Sequence, residues 1–292
     1  MKPKCLAVTS HKGGSHKTTI CVNAAAGLGM RGLRVLIIDT DGQKNSSIHA
    51  ALPDDENPDV TLSTLLSNNK DDAKLKDLTR LAIKETHWEN VSIICSDDSI
   101  GNVADKLQLT SHMAFSELGK SLNHVASRID DPVNGFDAII IDCAPDRRIL
   151  TTGAIAYATH TLIPILSGSL YGYDGFLDML NHITSLRKET NPQLVNLGIL
   201  ISGWDGNLLA HKKLLGLVTD RYQDINNVDL VKLFNGRIPR STKMEQASML
   251  SRSIFEVAEP SSSIYMAYDN FVDQLCVDMG LAVHDKLTHE GV

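Results

Sequence analysis

The sequence predicts an α/β fold, a doubly wound and mainly parallel sheet with helices on both faces. Two observations carry that prediction. Short, continuous apolar runs recur along the chain, Leu6-Ala7-Val8, Val35-Leu36-Ile37-Ile38 and Ala138-Ile139-Ile140-Ile141. Such β-branched runs fit strands buried on both faces, as in a parallel sheet. Longer segments with helical patterning lie between them, and alternation of strand and helix is how parallel strands are wound.

In chain order, the three runs are the first group of strands. Further strands are expected at Val91 to Cys95, Thr161 to Ile165, Leu197 to Ile201 and near Leu233 to Ile238. Helices are expected over Thr18 to Met30, Met113 to Ile129, Tyr171 to Glu189, Leu208 to Tyr222 and Ser263 to Met279. Each diagnostic run ends at a polar or acidic residue: Thr9-Ser10, Asp39 and Asp142. In open α/β sheets the ligand crevice lies outside those carboxyl ends.

Composition is that of an ordinary globular chain, with 292 residues, 42% hydrophobic and 22% charged. No Pro/Gly/Ser-rich linker divides it, and the densest polar stretch, Asp54 to Asp59, reads as a surface loop, so a single domain over 1–292 is expected. No fixed-period repeat is present. The apolar segment Cys5 to Val8 is too short for a signal-peptide core, and no run approaches the roughly 20 residues that span a bilayer. A cytoplasmic protein is expected. Its five cysteines, Cys5, Cys21, Cys95, Cys143 and Cys276, form no C-x-x-C pair and read as buried free thiols. A net charge of −7 means that any nucleic-acid contact must come from a local basic patch.

The decisive segment is Ser10-His11-Lys12-Gly13-Gly14-Ser15-His16-Lys17-Thr18-Thr19, which follows an expected strand and opens an expected helix. That context suits a phosphate loop. Glycines let successive backbone N–H groups face an anion, and the helix start adds partial positive charge. Lys17 can reach outer phosphates, and the Thr18 hydroxyl can ligate magnesium. The loop is not the standard G-x-x-x-x-G-K-[ST]: Ser10 and His16 stand where glycines are expected, and a second lysine, Lys12, precedes a Gly pair. For the His16 side chain a solvent-facing position is expected, against a contact with phosphate or a partner subunit.

These residues carry the deviant Walker pattern K-G-G-x-x-K-[ST]-[ST], and the chain resembles the ParA/MinD family of P-loop ATPases. Two more motifs extend the resemblance. Asp39-Thr40-Asp41-Gly42-Gln43 resembles the family's first switch, D-x-D-P-Q, with Gly42 for Pro, and Phe136 to Pro145 resembles its Walker B strand and second switch, with Ala144 for one Pro. Alternation along an extended segment gives Asp39 and Asp41 one direction. The resemblance implies that Asp41 orients the attacking water, that Asp39 holds the metal's water shell and the P-loop, and that Asp142 serves the Mg2+ water shell. Arg147 and Arg148 follow and read either as a dimer or partner contact or as a solvated helix start. Tyr171-Gly172-Tyr173-Asp174-Gly175 is similar to a family helix start, and Ile238-Pro239-Arg240 to a segment that lines the adenine pocket.

The resemblance therefore implies an ATPase. ATP would be bound by Lys12, Gly13, Gly14, Ser15, His16, Lys17, Thr18, Thr19 and Pro239. The metal, Mg2+, would be served by Thr18, Asp39 and Asp142, and catalysis by Lys12 and Asp41. Lys12 would act across a two-fold interface, so that ATP sits in a homodimer. Closest in pattern are the partition ATPases, which implies non-specific DNA binding, nucleoid association with ATP, and a ParB-type adaptor that stimulates slow hydrolysis. The cargo could be a plasmid, a chromosome or another body. Arg240, Lys212 and Lys213 are the DNA candidates, with Arg221, Arg237, Lys243 and Arg252 as further basic residues.

Two other functions compete. A MinD-like membrane-associated positioning ATPase needs a basic amphipathic C-terminal helix, whereas Asp278 to Val292 holds Asp285, Glu290 and one lysine. A reductase of the nitrogenase iron-protein type needs cysteines in Gly-rich settings, which Cys143 lacks. The phosphate loop begins near residue 10, with no helix-turn-helix before it, which argues against specific operator binding.

Overall fold

The computed structural model describes residues 3–52, 59–68, 72–110, 135–146, 148–167, 170–209, 211–213, 216 and 233–282. The expected helix 113–129, most of the expected helix 208–222, Arg147, Arg221, nearly all of the 54–59 loop and the end of the chain past 282 lie outside them. So do the side chains of residues 171–174.

The elements run β1 (Lys4–Val8), α1 (Lys17–Met30), β2 (Val35–Asp39), α2 (Asn45–Ala50), α3 (Leu62–Ser67), α4 (Asp72–Ala82), β3 (Ile83–Glu85), β4 (Val91–Ile94) and α5 (Ile100–Thr110). Then follow β5 (Ala138–Asp142), α6 (Ile149–Tyr157), β6 (His160–Leu166), α7 (Leu170–Glu189), β7 (Val195–Trp204), β8 (Leu233–Pro239), α8 (Thr242–Met249), α9 (Ile254–Val257) and α10 (Ser263–Met279). The strands form one sheet in the order β3-β4-β2-β5-β1-β6-β7-β8. All neighbours are parallel except β3, which pairs antiparallel with β4 at the edge.

Every strand of the centre is buried on both faces because helices cover both. Alternate residues face opposite ways: Cys5 and Ala7 of β1, Leu36 and Ile38 of β2, and Ile139 and Ile141 of β5 pack with α3, α4, α5, α6 and α7. Leu6 and Val8, Val35 and Ile37, and Ala138 and Ile140 pack with α1 and α10. This explains why these strands read as unbroken apolar runs rather than as alternating ones. The ends of α10 are also marked in the sequence. The Ser262 hydroxyl accepts from the Tyr265 amide at 3.4 Å, and Gly280 closes the helix at φ 63°. Glycine meets no Cβ clash in that left-handed conformation.

The five cysteines are free and buried. Burial pushes the thiols of Cys5, Cys21, Cys143 and Cys276 up.

What the topology does for the site is to set three carboxyl ends side by side. β5 lies between β2 and β1, with Asp142 in register with Asp39 on one side and Val8 on the other. The chain leaves β1 toward one side of the sheet and later takes up β6 on its other side. The loop after β1 therefore sits at a topological switch point.

Candidate nucleotide site

The loop from Ser10 to His16 wraps back on itself around one carbonyl. The Lys12 oxygen accepts from the Ser15 hydroxyl at 3.3 Å and from the Lys17 ammonium at 3.3 Å. Gly14 has φ 76°, a turn that an L side chain rarely adopts. The first turn of α1 then begins, with the Ile20 amide bonded to the His16 carbonyl at 2.9 Å. The two lysines of the loop sit in opposite environments: Lys17 is only 7% exposed, whereas Lys12 is at the surface.

Helix α7 presses on the loop from outside. A Cβ on Gly175 would stand 3.3 Å from Lys12 Cγ and 3.6 Å from His11 Cβ, so a side chain there would crowd Lys12 by a few tenths of an ångström. His11 Nε2 lies 4.0 Å from Asp178 of the same helix.

His16 corrects the expectation of a solvent-facing side chain. It is half-buried, its Nδ1 lies 3.0 Å from the Ser202 hydroxyl, and burial lowers its basicity. At φ 62° its backbone is left-handed, which is where the pattern expects glycine. The tie to Ser202 explains the outcome: a fully buried hydroxyl on β7 takes the imidazole as its partner.

Two carboxylates, Asp39 and Asp142, lie side by side and almost fully buried. Thr18 Oγ1 donates to Asp142 Oδ2 at 2.7 Å, and Ser46 Oγ donates to the same oxygen at 2.6 Å. Asp142 Oδ1 is buried, and among the described residues it has no hydrogen-bond partner. Asp39 Oδ1 accepts from the Asp41 amide at 3.0 Å, and Oδ2 from the Ser47 amide at 2.9 Å and the Ser47 hydroxyl at 2.7 Å. These bonds correct the expectation that Asp39 holds the P-loop: among the described residues its bonds go to Asp41 and α2, which follow it directly in the chain.

β2 ends at Asp39, so strand alternation does not by itself set the direction of Asp41. A turn does, in which the Lys44 amide bonds to the Asp41 carbonyl at 3.0 Å and the Gln43 amide to Asp41 Oδ1 at 3.0 Å. Asp41 still lies close enough to raise the Asp142 carboxyl through charge repulsion.

Burial pushes the Asp39 carboxyl up to about 7, with the Asp142 charge adding to it. Burial also pushes Asp142 up, while the Ser46 and Thr18 hydroxyls and the Lys17 ammonium favour its charged form. Two buried acids with one orphaned oxygen form a costly arrangement that a hard cation would relieve. The donor set fits magnesium: carboxylate oxygens and a threonine hydroxyl are its preferred ligand chemistry, directly or through water. Asp142, Thr18 and the neighbouring Asp39 would hold it, and when bound it would neutralise phosphate charge.

The remaining candidates stand two and three strands away from β1 along the same edge of the sheet. Pro239 is half-buried where β8 meets Trp204 of β7, and the Arg240 amide bonds to the Trp204 carbonyl at 2.9 Å. The side chains of Arg240, Lys212 and Lys213 are exposed. Arg237 instead lies over the Trp204 ring at 4.6 Å, Lys243 bonds to Gln246 at 3.0 Å, and Arg252 pairs with Glu256 at 2.7 Å. Arg148 occupies the N-cap position of α6 without a side-chain cap bond, and faces Asp105 at 3.7 Å and Asp146 at 3.9 Å. The sequence reading missed Ser46 and Ser47, because hydroxyls in a polar stretch carry no spacing signal.

A family model for the AAA domain, AAA_31, matches residues 3–196, more than half of the chain. The chain belongs to this family, as an ATPase of the ParA/MinD type. Among curated relatives of the AAA_31 chain, the sporulation initiation inhibitor protein Soj of Bacillus subtilis is 27% identical over 244 residues, covering 84% of this chain and 87% of Soj. The chromosome partitioning protein ParA of Caulobacter vibrioides is 24% identical over 251 residues, covering 86% of each. Among solved structures, cobyrinic acid a,c-diamide synthase from Mycobacterium smegmatis with bound ATP analog and magnesium superposes with a TM-score of 0.73 at 24% identity, covering 95% of this chain and 97% of that one. At that identity the likeness shows the fold. Among the described residues no helix is long and apolar enough to cross a membrane.

Proposed function

We propose that this ParA/MinD-type chain binds Mg-ATP at the loop Lys12 to Thr19, dimerises on it, binds duplex DNA without sequence preference, and drives partition or positioning of a cargo with a ParB-type adaptor. One observation carries the reading: the two lysines of one loop lie in opposite environments. Lys17, buried beside Asp142, is placed for phosphates held by its own subunit. Lys12 is exposed on the lip of the loop, which would suit contact with phosphates held by a second copy. Nucleotide bound between copies would couple its state to association. Asp41 beside Asp142 supports water positioning, and Pro239 at the same edge supports an adenine wall. One continuous sheet from β1 to β8 supports a single ATPase unit over 1–292.

The relatives named for partition and the exposed Arg240, Lys212 and Lys213 favour DNA as the matrix. With a net charge of −7 the monomer should bind DNA poorly, and a two-fold dimer doubles any local patch. The test combines light scattering with filter binding of random-sequence duplex DNA, using ATP, ADP or no nucleotide across a salt series. ATP alone should give a dimer that retains DNA, with affinity falling steeply as salt rises. A dimer that ignores DNA at low salt would replace DNA with a protein or membrane matrix, and no ATP-dependent dimer would overturn the reading.

A further inference from the structure

Asp142 carries two hydroxyl donors on one oxygen and, among the described residues, none on the other. Thr18 belongs to the phosphate loop. Ser46 belongs to α2, 96 residues from Asp142 in the chain, and its 2.6 Å bond is as short as that of Thr18 at 2.7 Å. Ser46 is 0% and Asp142 1% exposed, so bulk water does not compete for the bond between them.

We propose that Ser46 is a positioning residue for the divalent cation of this site. Its hydroxyl fixes the rotation of the Asp142 carboxylate and so reserves Oδ1 for the cation or its water. The inference rests on the Mg-nucleotide reading above. A carboxylate turns easily about its last bond, because that torsion is broad and nearly two-fold. One donor leaves it a choice of oxygen. Two donors from different elements, converging on the same oxygen, remove the choice. The Thr18 hydroxyl can offer a lone pair to a cation while it still donates its hydrogen bond to Asp142. Ser46 then holds Asp142 from an element outside the phosphate loop.

The neighbouring residue supports this role for α2. Ser47 donates to Asp39 through its amide and its hydroxyl, and its hydroxyl accepts from the Ser96 amide at 2.9 Å. Consecutive serines thus tie one turn of helix to both buried carboxylates, one bond set each. Outer partners that orient ligands are worth about ten- to a hundredfold in metal affinity.

The experiment titrates Mg2+ into the full-length protein with a fluorescent ADP analogue, for the parent, Ser46→Ala, Ser46→Cys and Ser46→Thr. Ser46→Ala should raise the Mg2+ concentration at half-saturation about tenfold, with nucleotide affinity in chelator changed less than about twofold. Ser46→Cys keeps the shape with a weak donor and should fall between, which covers the case in which alanine destabilises the fold. Ser46→Thr, which keeps the hydroxyl, should return to within about threefold of the parent. A lower melting temperature with unchanged Mg2+ dependence would assign Ser46 a merely structural role and overturn the inference alone. A parent that binds no nucleotide overturns both the inference and the function it rests on.

Discussion

The carboxyl end of the sheet holds two regions built on opposite terms. Under β2, β5 and β1, charged groups are buried, and their partners are fixed by other elements: Asp142 by α1 and α2, Asp39 by α2, Lys17 by the loop carbonyl. At β7 and β8, the cations Arg240, Lys212 and Lys213 are exposed, and what is fixed there is backbone, as in the bond from the Arg240 amide to the Trp204 carbonyl. A buried charge is costly unless its partners are in place, so the first region constrains its residues tightly. An exposed cation is comfortable in water alone, so the second region can serve a polyanion without being built for one. Substitutions should therefore act abruptly at the first region and gradually at the second.

The largest effect should come from the two lysines of the loop. Lys17→Ala removes a buried ammonium beside Asp142 and should weaken ATP binding on the order of a hundredfold, measured by equilibrium titration. Lys12→Ala should retain ATP binding yet fail to dimerise by light scattering. A Lys12→Ala protein that dimerises and turns over like the parent would sink the trans role. Next, Asp41→Ala should bind Mg-ATP and dimerise while hydrolysis drops by about a hundredfold or more. Single-turnover hydrolysis at the parental rate refutes that role.

At the second region, Arg240→Glu should lower DNA affinity by about tenfold at low salt, uniformly across sequences, with ATP dimerisation intact. A sequence-dependent loss would mean base contacts and would place β8 on the constrained side of the comparison. The smallest effect should fall on the bond that joins the regions, from His16 to Ser202. His16→Gly loses that bond, about 1 kcal/mol, but relieves a left-handed backbone that costs a similar ~1 kcal/mol. Its melting temperature should stay within about 2 °C of the parent. Ser202→Ala loses the bond with no relief and should melt about 2–4 °C lower. Equal losses from both substitutions would show that the left-handed turn carries no strain.

What the sequence made legible follows the same divide. β1, β2 and β5 announce themselves as apolar runs because both faces are covered, and α10 because Ser262 and Gly280 mark its ends. The site motifs were readable because glycine, lysine and aspartate are needed at fixed spacings. β3 was not, since two half-buried residues and one exposed residue at an antiparallel edge show no period. Helices α2 and α3 are too short, at 6 residues each, to establish one. The partnership of His16 with Ser202 joins residues 186 apart and depends on how the loop after β1 lies over β7, which no local pattern encodes.

The five buried cysteines have a practical corollary. Thiol reagents attack the thiolate, and in the native chain burial both hides these sulfurs and disfavours that form at Cys5, Cys21, Cys143 and Cys276. Alkylation must therefore wait for the structure to open, and its pace times that opening. Cys21 lies on α1 and Cys143 just past Asp142, so bound nucleotide should slow their modification more than that of Cys276 on α10. The same shielding lets a cysteine introduced at the surface carry a fluorophore without removal of the native five.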